Sequence, residues 1–255
     1  MAFSIWLQSK ALGRLQRGAW LLASFICLSA CTAEVDCLKS NGAVTTQRRT
    51  VASGTRTVIV YDNVDLLIVP DTATFAEVRA GEHVIDGLTL TYPNALTLEL
   101  NNTNRCNWTR SYDTPHEVRL HTPRLPDVRL LGYGTIRTAS RWTQDTLFVN
   151  LLGDGDIQLD VNTDYLYTNM YELGDMTLSG TTNVFRTLVG GSGFLFAGGL
   201  IAQICSFETT RTSLGDAHVR AAQYLGGVHA GKGTLHYTGN PGTTDIRGTG
   251  KLVKE

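Results

Sequence analysis

The chain has 255 residues, 42% hydrophobic and 18% charged, with a formal net charge of −1 at pH 7: enough apolar material for one large domain, and too much for a disordered chain. Neither the charge balance nor any basic tract with interleaved aromatics fits a nucleic-acid partner. Gly is abundant at 26 and Pro scarce at 6, with Val, Leu, Thr and Tyr in short runs, a composition of many short strands joined by tight turns.

In chain order, residues 1–30 read as an export signal: Lys10, Arg14 and Arg17 precede an apolar run from Ala19 to Ala30. The run is shorter than the about 20 residues of a comfortable membrane-spanning helix. Leu28-Ser29-Ala30-Cys31 resembles a bacterial lipobox, in which the cysteine thiol receives the lipid. The mature chain is then expected to start at Cys31 and to be held at a membrane by that anchor. Loss of the three basic residues leaves 19 basic against 23 acidic ones, a net −4. Thr32 follows the cysteine where Asp would favour inner-membrane retention, so the expectation is an outer-membrane lipoprotein, periplasmic or surface-exposed. Residues 31–50, with Glu34 and Asp36, read as a hydrophilic tether, and residues 51–255 as the folded domain. Of the remaining cysteines, Cys37 and Cys106 are the expected disulfide of an oxidising compartment, contributing about 4 kcal/mol in the chain-entropy description. Cys205, beside the apolar segment from Leu200 to Ile204, reads as a buried free thiol.

Between Val51 and Pro126 the apolar runs are short and carry no sustained helical period. Strands are expected on both sides of Asp62-Asn63, then at Ala76 to Ala80, Leu88 to Tyr92 and Leu96 to Leu100, with Val118 and Leu120 alternating against charged neighbours. From Gly132 onward a glycine followed four positions later by an apolar residue recurs seven times: Gly132 to Ile136, Gly153 to Ile157, Gly174 to Leu178, Gly191 to Leu195, Gly215 to Val219, Gly231 to Leu235 and Gly248 to Leu252. The glycines are 21, 21, 17, 24, 16 and 17 residues apart. A unit this short buries an apolar face only against its neighbours, which makes it one turn of a solenoid. The glycine is expected where a Cβ would clash, and the seven apolar residues are expected to form one inward ladder. The uneven spacings predict a loop between Phe194 and Gly215, and solenoids often place binding on such loops.

The succession Val58-Ile59-Val60, Val64-Asp65-Leu66, Val78-Arg79-Ala80-Gly81, Leu96-Thr97-Leu98 and Leu130-Leu131-Gly132-Tyr133-Gly134, with the later glycine motifs, resembles the autotransporter-adhesin head GIN domain family of exported Bacteroidota proteins. The resemblance covers roughly Val51 to Glu255 and rests on a repeat pattern. It implies an all-β, right-handed parallel β-helix-like solenoid in a single domain, usually on a lipoprotein.

No residue set spells out a catalytic motif. His116 and His121 are five apart and scattered from the other histidines, no Cys/His spacing suits structural zinc, and Gly190-Gly191-Ser192-Gly193 has no helix after it. The sequence therefore calls for no cofactor and no resident metal. Asp154, Asp156 and Asp175 are the one acidic cluster to weigh, since carboxylates this close repel unless solvated, protonated or bridged by calcium. Turn chemistry accounts for Asp and Gly here without a metal. With Arg137 the same carboxylates are the minimal equipment of a polysaccharide-acting β-helix enzyme, the alternative to a non-catalytic module for binding or adhesion, or to a passive envelope scaffold. For binding, the aromatics are the inventory. Tyr165, Tyr167 and Tyr171 lie close together, and Tyr165 and Tyr167 share a face of a strand. Turned inward they are core, the commoner fate of aromatics; turned outward they form a stacking platform for a glycan or another cell-envelope component.

Overall fold

The computed structural model describes residues 40–105 and 113–255. Cys31, Cys37 and Cys106 lie outside the described residues, as do the signal segment and Trp108. The strands belong to one all-β domain, a β-solenoid of about six turns. The single helical element among the described residues is a 3-10 turn at Ile85–Gly87.

The first coil runs from β2 (Thr57–Val60) into β3 (Asp65–Pro70), turning at Asp62, whose φ of 53° places an aspartate in the left-handed region. Next come β4 (Phe75–Gly81), β5 (Leu88–Asn94), β6 (Thr97–Asn102) and β7 (Glu117–Thr122). These are the strands expected from the apolar runs, but their stacking order differs from chain order. β6 and β7 lie parallel on one side of β2 and β3, while β8 (Asp127–Leu130) and β9 (Thr135–Thr138) lie parallel on the other. The first coil is thus sandwiched between the two that follow it.

The free edge of this end is covered by antiparallel strands: β4 on β7, β5 on β6, and β1 (Val44–Thr50) on β4. Covering the edge removes a row of unpaired backbone groups that would otherwise template aggregation. β1 falls in the stretch read as tether. Its alternation of half-exposed and exposed residues carries little apolar signal, and it is held by its antiparallel ladder to β4 and by side chains: Arg48 lies 3.7 Å over the Phe75 ring, which stacks on His121 at 4.1 Å, and Arg49 donates to the Ile85 carbonyl at 2.8 Å.

Above β8 and β9 the strands lengthen and turn corners without a break: β10 (Trp142–Leu151), β11 (Asp156–Met170), β12 (Met176–Val189), β13 (Leu195–Thr209) and β14 (Ala217–Val228). Then β15 (Thr234–Thr238), β16 (Thr243–Arg247) and β17 (Lys251–Lys254) complete the stack. All these neighbours pair in parallel.

The stacking corrects the phase of the glycine repeat. The underlying unit is a triplet, Gly132-Tyr133-Gly134, Gly153-Asp154-Gly155, Glu172-Leu173-Gly174, Gly191-Ser192-Gly193, Ser213-Leu214-Gly215 and Gly231-Lys232-Gly233, whose last glycines are 21, 19, 19, 22 and 18 residues apart. These last glycines form the column: a Cβ on Gly155 would lie 2.0 Å from the Gly134 carbonyl oxygen, and one on Gly174 1.9 Å from that of Gly155. Counting from the first glycine in some coils and the last in others produced the scatter of spacings. The expected loop between Phe194 and Gly215 is the corner at residues 210–216, seven residues between β13 and β14 against five at 171–175 and five at 190–194. β13 runs through most of this unit, and the extra residues are divided between a pairing irregularity near Phe196 to Gly199 and that longer corner.

The ladder shifts with the phase. Ile136, Ile157, Met176, Leu195, Ala217, Leu235 and Leu252 are successive register partners, while Leu178 stacks on Leu159 and Val219 on Ala197 one step further along. All are buried except Leu252, which is 37% exposed because β17 pairs through it on one side only. Each buried Leu or Ile in such a column contributes about 1.5–3 kcal/mol relative to exposure. Threonines facing inward satisfy one another from coil to coil, Thr163 donating to Thr182 at 2.9 Å and Thr168 to Thr187 at 2.7 Å. His229 does the same for a corner: Thr209 Oγ1 accepts the Ala230 and Gly231 N–H groups, so its own proton goes to His229 Nδ1 (3.1 Å), and Nε2–H donates to the Gly233 carbonyl (3.0 Å). Cys205 is fully buried and free, as expected. Burial pushes its thiol up to about 12, so it is no nucleophile.

Candidate ligand-binding face

The carboxylates of the Asp cluster serve the backbone. Asp156 and Asp175 occupy the position just after the column glycine, and each accepts the N–H of its counterpart one coil on: Asp156 from Asp175 (3.0 Å), Asp175 from Phe194 (2.8 Å). Asp65 and Asp216 repeat the device, accepting from Thr135 (2.8 Å) and Thr234 (2.6 Å). A strand needs these N–H groups paired at the corner where the ladder is interrupted, and a short carboxylate reaches them. Asp154 sits at the middle of its glycine triplet, exposed at the same corner. Arg137 lies 3.9 Å from Glu117, on another coil from Asp175. Asp156 and Asp175 thus belong to a repeated turn device.

The tyrosines divide. Tyr165 and Tyr167 point outward, against the commoner expectation, because Leu166 and Thr168 take the inward positions of β11 and are buried. Tyr171 lies apart from them in the corner before Glu172, against Gly190. Trp142 is core, and Tyr133 is an exposed corner residue.

Around Tyr165 and Tyr167 the parallel register builds a surface. Phe148 on β10 and Arg186 on β12 are the direct partners of Tyr167 on either side. The Phe148 and Tyr167 rings stack at 4.9 Å and 15°, and Tyr167 and Tyr165 lie 6.4 Å apart at 13°, so the three rings stand nearly parallel in one stacked row. Phe148 is 43% and Tyr165 46% exposed. Tyr165 continues through its partners Val184, Ile204 and Tyr224 into a partly exposed apolar stripe. On the other side runs a polar ladder: Asn169 donates to Asn150 at 2.9 Å, Asn150 to Asp127 at 3.3 Å, and Arg129 holds Asp127 at 2.9 Å. That hydrogen bond to Asp127 holds the Arg129 guanidinium above its ordinary pKa, fixing its charge. An open cleft of about 290 Å³ runs beside the rings, with Tyr167, Asn169, Arg186 and Glu208 in its lining.

An outward row of aromatic rings flanked by amide and guanidinium donors can meet the apolar patches of a sugar while hydrogen-bonding its hydroxyls. Another cleft, of about 190 Å³, is polar, with Asn162, Asp164 and Asn183 in its lining; Asn162 accepts from Thr181 and Asp164 from Asn183 along the coils. The group of three metal-ligating side chains found among the described residues, His218, His236 and Glu255, lies on other strands from the Asp cluster. Phe148 and Arg186 escape a reading by local motif, yet they lie 19 residues before and after Tyr167, one coil each way.

No helix of the described residues is long and apolar enough to cross a membrane. None of the curated proteins matches the chain. Solved structures share the fold. A putative adhesin from Bacteroides fragilis is 16% identical, with a TM-score of 0.73 over 85% of this chain and 100% of that one. A putative lipid binding protein from Parabacteroides distasonis is 20% identical, with a TM-score of 0.62 over 85% and 100%. A putative adhesin from Parabacteroides merdae is 15% identical, with a TM-score of 0.56 over 86% and 98%. At such identities the likeness is one of fold. The family described as "Putative auto-transporter adhesin, head GIN domain" matches residues 55–241, more than half of the sequence, and the chain belongs to it.

Proposed function

We propose that the protein is an exported, non-catalytic binding module, anchored to the outer membrane through a lipid on Cys31, that engages a glycan or another cell-envelope component on the outward face of β10 to β12. The observation that carries this reading is the outward row of parallel stacked rings, with Phe148 and Tyr165 exposed and Tyr167 partly exposed, beside Arg186, Asn150 and Asn169. Core packing does not require these rings, since the inward positions of the same strands are already filled. The adhesin family supports an envelope-associated role.

A glycan array and an envelope pulldown are expected to show saturable binding by the wild type. The Tyr165→Ala/Tyr167→Ala double variant is expected to lose about tenfold or more, at about 0.5–1.5 kcal/mol for each stacked aromatic contact, with little change in thermal midpoint because both rings are outside the core. No binding above background, or a double variant that binds like the wild type, would sink the reading. Cells grown with labelled palmitate are expected to mark the protein, and a Cys31→Ala variant to lose the label; an unlabelled wild type contradicts the anchor.

A further inference from the structure

We propose that His218, His236 and Glu255 form a binding site for a zinc-class divalent cation, clamping the last coils of the solenoid together. His218 on β14 and His236 on β15 are direct register partners, both outward. Their rings stack at 4.5 Å and 8°, and Phe196, one coil earlier, stacks on His218 at 6.1 Å. The third group comes from the residue after β17: the Glu255 N–H donates to the Tyr237 carbonyl at 3.0 Å, which fixes where its side chain starts. Its carboxylate then reaches both rings, 2.8 Å from His236 Nδ1 and 3.7 Å from His218 Nδ1.

The three ligand atoms lie within 4.8 Å of one another. Tetrahedral zinc with Zn–N of about 2.0–2.1 Å places its ligand nitrogens about 3.4 Å apart. Closing onto an ion therefore needs a movement of about 1 Å, within reach of two partly exposed rings. His236 Nδ1 is sealed from solvent and has no aligned hydrogen bond, although a carboxylate oxygen stands beside it. A buried nitrogen without such a bond carries a cost unless something else satisfies it, and a cation between imidazole and carboxylate does so.

Two imidazoles and one carboxylate are a donor set for zinc and its borderline neighbours, leaving a fourth position for water or an external ligand. Calcium and magnesium prefer six or more oxygens and find one carboxylate here. A local spacing rule does not see this site, because its histidines are 18 residues apart. That distance is one coil, and the repeat brings them face to face.

Isothermal titration of the full-length protein, stripped with chelator, tests the site with zinc chloride. The expected result is one Zn²⁺ per chain, no heat from Ca²⁺ or Mg²⁺, and a zinc-dependent rise in thermal midpoint. His218→Ala, His236→Ala and Glu255→Gln are each expected to weaken zinc by about tenfold or more, the loss scale of disturbed metal sites. Glu255→Gln should leave the metal-free thermal midpoint unchanged, so its effect cannot be ascribed to misfolding. Co²⁺ is expected to give the visible bands of a four-coordinate nitrogen and oxygen site. Absence of stoichiometric zinc binding, wild-type affinity in all three variants, or a thiolate charge-transfer band placing the ion at cysteines would each overturn the proposal.

Discussion

Gly174→Val is expected to cost more than about 4 kcal/mol, the range reserved for substitutions with no room to relax. The Cβ direction of Gly174 points at the backbone carbonyl of Gly155, 1.9 Å from its oxygen, and Gly193 repeats the approach onto Gly174 itself. A flexible side chain could swing away; a carbonyl held in a parallel ladder cannot. Relief requires the coils to separate at a corner where Asp156 and Asp175 also bridge them, so the clash and the lost hydrogen bonds add. Against a total stability of about 5–15 kcal/mol for a typical domain, the variant should be unfolded or nearly so at 37 °C. Gly198→Ala is the matched control: nothing lies within 4 Å of a Cβ there, and a change within about 0.5 kcal/mol is expected. Urea titrations of the two variants measure the contrast directly. A Gly174→Val protein with wild-type stability would mean that the coils are not stacked at this spacing.

Ile157→Asp is expected to be of similar severity, about 4 kcal/mol or more. Ile157 is fully buried between Ile136 and Met176, and its register partners are apolar on both sides. An aspartate there loses the buried side chain and places a carboxyl group among hydrocarbon without a partner, so both effects destabilise. Ile157→Val removes one methylene and should cost about 1 kcal/mol. Leu252→Asp, in the same column but 37% exposed, should cost less than about 1 kcal/mol. This gradient along one ladder, read by thermal or urea unfolding, separates a continuous core from a set of independent hairpins. Equal effects at Ile157 and Leu252 would contradict it.

The period of the solenoid was legible in the sequence because its cause is severe: a carbonyl directly above a Cα leaves room for nothing but hydrogen, so glycine recurs whatever else varies. Its phase was not, because two glycines stand in most triplets and Glu172 and Ser213 replace the first one in two coils. Taking the first glycine in one coil and the last in another shifted Leu178 and Val219 out of their true columns. The stacking order of the first three coils was illegible for a different reason. Apolar alternation tells which face of a strand is buried, but β2, β6 and β8 alternate alike, and nothing local says which two lie against each other. β1 was missed because its pairing rests on Arg48, Arg49 and backbone hydrogen bonds.

The outward tyrosines show the limit most clearly. Aromatic content alone favours burial, and only the parity of the strand decides otherwise: with Val161, Thr163, Leu166 and Thr168 buried, Tyr165 and Tyr167 are left facing water. The shift in parity between Thr163 and Leu166 marks the bend between two faces, which no period-two reading follows. Once the coil length is known, Phe148 and Arg186 follow by adding or subtracting 19, and the pairing of His218 with His236 follows by 18. In this chain the proposed sites are arranged across coils, and a repeat period is the rule that converts sequence distance into neighbourhood.

The claim that the aromatic face of β10 to β12 is where the ligand sits is tested most directly by side-chain oxidative footprinting of the full-length protein with and without a cell-envelope polysaccharide mixture. Protection of Phe148, Tyr165 and Tyr167, with Tyr133 and Tyr171 labelled equally in both samples, is the predicted result. Protection confined to Tyr133 or Tyr171, or no difference at Phe148, Tyr165 and Tyr167 under conditions where polysaccharide binds, would contradict it.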